Sequence, residues 1–411
     1  MMNFAIVSSY SESCGNAAFT RVLHDTIELY SNTQVEVIEL DLILLQSIEY
    51  NVRRKAEIHI KGICERLKVF DAVNIQMEAG LYGTLPHDIV RRAKQLIDAN
   101  PNTSVTFHSP RIMMGTNSSV RSGLKKILKL KVLSGINEIL GSYYAATHVR
   151  INKKIIGYAV LRNCRFIVHT LRARKQIKDF FCYDRIDVHP IKNVPHNFAA
   201  DPSVLKRIRQ ELQLADHDVL IGMFGYLSSN KGHTDALKAI TYLPSNHKLL
   251  IFGRQHPQTL ISSGVIESYL QLLINTINNS KKLKQRVFFL GELNDNDFLN
   301  VASSIDVAWL PYYESGQDGS GIAAICMDVC QRVLCSTSFA FDELFKLISY
   351  PNVMRFDVGN FMEIATKTGM ILRRDVQTTP NEDQSLYSTR TQALAYVKDL
   401  PKAYLADSVK T

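Results

Sequence analysis

Two successive series of short apolar runs, separated by segments of helical periodicity, constrain what this chain can fold into more than any single residue. In the first series Phe4–Ser8, Val35–Leu40, Ala72–Gln76, Ser104–Phe107 and Phe166–His169 read as strands, with helical stretches such as Ala18–Tyr30 and Ile89–Ala99 between them. A comparable series starts at Val219 and runs through Leu249–Phe252, Val287–Leu290, Val307–Leu310 and Val333–Ser336. Apolar strands joined by helices suit parallel sheets, because crossover helices cover both faces. The expectation is α/β, with two Rossmann-like, doubly wound domains. Length agrees: 411 residues exceed the roughly 250 to 300 that one core holds. The Pro/Asn-rich stretch 194–203 reads as the hinge, which divides the chain into 1–198 and 199–385. Residues 373–385 read as a loose polar connection, and 386–404 as helix.

Two loops of the second series carry candidate chemistry. Val219–Phe224 runs into Gly225, where the backbone can turn sharply, and Lys231-Gly232 follows beside the next helix start, an order suited to holding phosphate. Further on, the strand Val307–Leu310 ends at Pro311, and a glycine-rich loop delivers Gly319, Ser320 and Gly321 to a helix entrance. There, unpaired amides and the helix dipole favour an anion. The alternative is two ordinary strand-to-helix loops with Ser320 as an N-cap. Both stand at this point.

The segments FGYLSSNKGH, LLIFGRQHP, VFFLGEL, SSIDVAWLPYYE and GQDGSGIAA, in that order over residues 219 to 345, resemble the C-terminal half of retaining glycosyltransferases of family 4, which have the GT-B fold. FAIVSSYSESCGNAAFT, VNIQMEAGLYG, VTFHSPR, FIVHT and VPHNF are similar to the other half. The resemblance implies two domains facing a cleft, with a nucleotide-sugar donor held by the C-terminal one and a glycan or lipid-linked acceptor by the N-terminal one. It also implies retaining transfer without a metal or other cofactor, and a C-terminal helix, 386–411, returning to the first domain. By resemblance, His108 and Lys231 are the catalytic candidates, His108 positioning sugar hydroxyls and Lys231 neutralising the leaving diphosphate. The donor candidates are Gly15, Tyr226, Lys231, Arg254, His256, Gln317, Gly319, Ser320 and Gly321, and Glu78 and His169 are acceptor-side candidates.

The chain also departs from the pattern. Tyr226 stands where the family has an arginine, Gln317 and Ile325 stand where it has two glutamates, and Cys14 precedes Gly15 where it often has paired glycines. Three readings follow: a transferase in polysaccharide or glycoconjugate synthesis; another GT-B activity, such as epimerisation or phosphorolysis; or a binding protein that has lost catalysis.

Asp295-Asn296-Asp297 spells a metal-binding pattern of other glycosyltransferases, yet it precedes an apolar helical run, so Asp295 or Asp297 is expected to cap that helix. Seven cysteines without paired spacing fit reduced thiols and a cytoplasmic protein, and the N-terminus reads as a strand instead of a signal peptide. Cys326 and Cys330, one helical turn apart, read as core residues. The net charge of +9 points to an anionic partner. Its densest cluster, 121–133, interleaves lysines with leucines, which suits either an anionic membrane surface or a solvated helix face. Nucleic acid is not expected, since no zinc spacing or RNA-binding aromatic signature accompanies the charge.

Overall fold

The computed structural model describes residues 2–11, 14–113, 124–125, 127–128, 132–255, 268–314, 319–347, 352–375 and 387–398. Among the site candidates, His256 and Gln317 lie outside these residues, as does most of the basic stretch 121–133. The chain forms two compact units. One holds the described residues up to Pro190 and those from Tyr387 onward, and the other runs from Ile191 to Leu386.

The first unit is built on six parallel strands, β1 (Met2–Ser8), β2 (Thr33–Glu39), β3 (Ala72–Met77), β4 (Thr103–Phe107), β5 (Arg165–Val168) and β6 (Ile186–Val188), in the order β2-β1-β3-β4-β5-β6. The strands read as apolar runs because helices cover the sheet: Ile6, Val105 and Phe166 are fully buried. Two polar positions break the pattern, Asn74 and Gln76 of β3, both fully buried and joined to each other and to Thr106 by hydrogen bonds. The helix Thr389–Val397 is capped by Ser388 and packs on the helix Gly15–Tyr30. Arg165 donates to the carbonyls of Ala395 and Tyr396, and the Tyr396 hydroxyl meets Thr106 at 3.1 Å.

The second unit repeats the plan with β7 (Val219–Phe224), β8 (His247–Phe252), β9 (Val287–Gly291), β10 (Val307–Leu310), β11 (Val333–Ser336) and β12 (Val353–Phe356), in the order β12-β11-β10-β7-β8-β9. The direction of winding reverses between β7 and β10, and ligands of open parallel sheets gather at such a switch point, beyond the carboxyl ends of the strands. The two glycine loops emerge there. The core includes Trp309, whose indole donates to Thr368 Oγ1 at 3.0 Å, and both Cys326 and Cys330. Neither β6 nor β12 figured in the sequence reading; β6 has three residues and β12 contains an arginine, so apolar run length gave no signal. No helix among the described residues is long and apolar enough to cross a membrane.

Candidate functional site

The second unit brings its two loops together through contacts that only glycine permits. Gly225 has φ +101°, its amide bonds to the Phe252 carbonyl at 2.9 Å, and a side chain at Gly253 would lie 1.9 Å from the Gly225 carbonyl. The turn after β7 is therefore pressed onto the end of β8. Gly232 has φ +73°, and a Cβ there would lie 1.8 Å from the Pro311 carbonyl oxygen, so the Lys231-Gly232 turn is seated on the end of β10. Gly225 also abuts Ile322 in the first turn of the helix Gly321–Val329.

That seating fixes Lys231. Its ammonium lies 3.7 Å from the centre of the Tyr312 ring, and the Tyr312 hydroxyl is 3.3 Å from Ser320 Oγ. Among the described residues no carboxylate pairs with Lys231. Ser320 caps the helix, its hydroxyl taking the Ala323 amide at 3.2 Å, which leaves the amides of Gly321 and Ile322 as first-turn donors. Lysine, tyrosine, cap and helix dipole thus form one electropositive corner, and a Cβ on Gly319 or Gly321 would come no nearer than 3.6 Å to any described neighbour. Buried Asn193 adds a polar group at this point, with Nδ2 beside Gly321 and Oδ1 without a hydrogen-bond partner. Behind the corner, His233 is buried, and burial together with the Lys231 charge pulls its pKa down to about 4, so the imidazole is neutral near pH 7.

The other donor candidates of this unit are placed differently. Tyr226 is half-buried in the turn after Gly225. Arg254 Nε lies 2.9 Å from Glu292 Oε2, an ion pair off line for a hydrogen bond, so this arginine is already engaged. Ile325 is buried in the core, so that helix offers no carboxylate there. Glu314 accepts the Phe339 amide at 2.8 Å and the Ser338 hydroxyl at 3.2 Å, tying its loop to the end of β11. Asp295 and Asp297 do not cap their helix. The cap is Asn294, whose backbone is extended and whose side chain accepts the Asp297 amide at 2.8 Å, leaving the two aspartates in the first turn.

In the first unit the strand ends carry a hydrogen-bonded string. His108 follows β4, with Nε2 2.7 Å from Gln76 Oε1 and Nδ1 3.1 Å from His169 Nε2. His169 follows β5 and donates from Nδ1 to the His189 carbonyl at 3.0 Å. Phe19 packs edge-on against both rings. Both ends of the string are carbonyl oxygens, so three protons on the two rings satisfy all three contacts, whereas two neutral rings leave one contact unmade. Burial lowers both pKa values, that of His169 to about 4, so the pair is neutral near pH 7. Glu78, after β3, has its carboxyl pushed above the ordinary range by burial, against the Ser109 hydrogen bond and the Arg111 charge. Gly15 opens the helix Gly15–Tyr30 behind Cys14, which makes no side-chain cap bond, and no described residue lies within 4 Å of a Cβ placed on it.

The sequence reading missed Gln76, Tyr312 and Asn193. Gln76 had a signal, a polar residue in an apolar strand; Tyr312 and Asn193 had none, since only the folded loops bring them to Lys231 and Gly321.

No family model matches the sequence, and no curated protein matches it. Solved structures do. The chain is similar to HepE from Anabaena in complex with UDP-glucose, at TM-score 0.57 and 13% identity over 97% of this chain and 95% of that one. It is similar to sucrose-phosphate synthase from Thermosynechococcus elongatus, at 0.56 and 14% over 97% and 95%. It is also similar to an alpha,alpha-trehalose-phosphate synthase (UDP-forming) from Burkholderia xenovorans in complex with glucose-6-phosphate, at 0.61 and 9% over 98% and 100%. These neighbours are GT-B glycosyltransferases, and the likeness shows that the chain has the α/β two-domain GT-B fold.

Proposed function

We propose that this chain is a glycosyltransferase that moves a sugar from a nucleoside-diphosphate sugar to a glycan or glycolipid hydroxyl, with retention of configuration and without a metal. The observation that carries the reading is the corner at the β7/β10 switch point, where a lysine with no carboxylate partner among the described residues lies over Tyr312, which in turn meets Ser320 at the entrance of a capped helix. A diphosphate fits it by charge and by amide donors. Negative charge grows on the leaving diphosphate as the glycosidic bond breaks, so donors fixed beforehand lower the barrier most. Lys231 and the helix-entrance amides of Ser320, Gly321 and Ile322 take that role, and no nucleophile from the protein is required. The first unit supplies neutral polar groups, Gln76, His108 and His169, suited to sugar hydroxyls instead of phosphate. UDP is the first donor base to try, since it appears with the Anabaena neighbour.

The test is product analysis in excess chelator: UDP-sugar with a panel of glycan and glycolipid acceptors, the new anomeric centre read by NMR. Transfer with retained configuration is the expected outcome. Inversion, or activity that returns only with magnesium, contradicts the mechanism. A second reading, donor binding without turnover, is favoured by Tyr226 and by buried Ile325, and predicts UDP binding with no product from any acceptor.

A further inference from the structure

At the amino-terminal ends of β7 and β8, opposite the glycine loops, lies an open cavity of about 580 Å³ lined by Asp218, Thr241, Asn246, Lys248, Lys282 and Arg286. Six-residue β7 spans roughly 17 to 20 Å, so this cavity and the Lys231 corner are well separated within the same unit. Arg286 is only 6% exposed, and among the described residues no carboxylate pairs with it. Its Nε donates to the His247 carbonyl at 3.1 Å and its Nη2 to the Pro244 carbonyl at 2.7 Å, while Nη1 makes no hydrogen bond with described residues. Lys282 has no acidic partner among them either, and Lys248 Nζ stands 3.9 Å from Asp218 Oδ1, the one carboxylate lining the cavity. That carboxylate is shared, because its Oδ2 accepts the Ala215 amide at 2.9 Å.

Three cations therefore face one cavity with a single carboxylate among them. A buried guanidinium without a counter-charge is costly, and burial alone accounts for the lowered pKa of Arg286. Two carbonyl bonds explain how the arginine is held; they do not explain why two lysines join it. A bound anion supplies the missing charge. The volume falls within the roughly 300 to 1,000 Å³ of small-molecule sites. Thr241 and Asn246 are tied to the Lys238 and His217 carbonyls, but the side chains of Gln213, Ser245 and Gln285, which also line the cavity, make no hydrogen bond with described residues and suit a ligand with hydroxyls. We infer that this cavity is a second anion site of the C-terminal unit, taking a phosphorylated sugar.

The inference stands independently of the proposed transferase activity and is tested on full-length protein carrying Lys231→Ala, which removes the lysine of the other corner. Calorimetric titration with ribose 5-phosphate is expected to show saturable binding that survives Lys231→Ala. Binding should weaken at least about tenfold when Lys248→Gln and Lys282→Gln are added with the melting temperature unchanged. Inorganic phosphate should bind more weakly than ribose 5-phosphate. No binding, or equal affinity with and without the two lysines, overturns the site. Phosphate binding as tightly as ribose 5-phosphate overturns the sugar assignment, as does binding of phosphatidylglycerol vesicles with none of the free sugar phosphate.

Discussion

The strand ends of the two units present opposite electrostatic characters on the same architecture. In the second unit, Lys231 lies over Tyr312 near a helix start, with no carboxylate paired to it among the described residues, whereas in the first unit neutral His108 and His169 stand in a row between Gln76 and the His189 carbonyl, one proton short of filling its three contacts. Two sheets of parallel topology thus carry an electropositive corner at one set of strand ends and uncharged polar groups at the other. The difference lies in what each loop leaves unsatisfied: a cation and helix amides in one, and a single proton vacancy along a buried string in the other. On the proposed function the diphosphate goes to the second unit and hydroxyls to the first, a division that rests on local chemistry and not on fold.

The largest expected effect breaks the charged side of the comparison. Lys231→Ala should lower turnover by about 10² to 10³, or roughly 2.7 to 4 kcal/mol of transition-state stabilisation, with circular dichroism unchanged. Near-normal kinetics in the folded variant would show that the second unit's corner is not where charge develops. On the neutral side, His169 has a folded pKa of about 4 against an ordinary value near 6.5, and His233 behaves likewise. Between those values the unfolded chain binds protons that the folded chain does not. Stability should therefore fall as pH drops from 6.5 towards 4, by on the order of 3 kcal/mol for each histidine, and level off below. Urea unfolding across this range checks it, and a slope left unchanged in His169→Asn contradicts a neutral buried pair.

Glycines sharpen the contrast further. Gly232→Ala combines a left-handed φ with a Cβ 1.8 Å from the Pro311 carbonyl oxygen, so it should cost about 2 to 4 kcal/mol and displace Lys231. Ser320→Ala removes the helix cap and should cost about 1 kcal/mol in stability, read by the same denaturant titration. Gly15→Ala meets no described residue within 4 Å at a helical position and should be neutral or stabilising by about 0.5 to 1 kcal/mol. If Gly15→Ala nonetheless abolishes activity, the first unit's helix start approaches a ligand as closely as the second unit's does, and the proposed division between the units is wrong.

Both sheets were legible in the sequence because parallel strands are apolar on both faces, and a run such as Val219–Phe224 has few other uses. The glycine turns were legible too: Gly225 and Gly232 sit at positive φ and mark where the backbone must turn or press on a neighbour. What escaped was whatever depends on loops meeting across the sheet. Tyr312 beneath Lys231, the ion pair that engages Arg254 and the string from Gln76 to His189 are set by packing between segments far apart in the chain. The cap of the helix Asp295–Ser304 is Asn294 and not Asp295 or Asp297, because asparagine and aspartate are all good caps and only backbone geometry distinguishes them.

The most direct test of the account is thermal unfolding of the wild type and Lys231→Ala with UDP in excess chelator. A ligand at about 100 times its dissociation constant stabilises by roughly 2.7 kcal/mol, a readily measured shift. UDP is expected to raise the melting temperature of the wild type and to leave that of Lys231→Ala nearly unmoved. An equal shift in both proteins would place the nucleotide away from the β7/β10 corner and exclude Lys231 as its phosphate ligand.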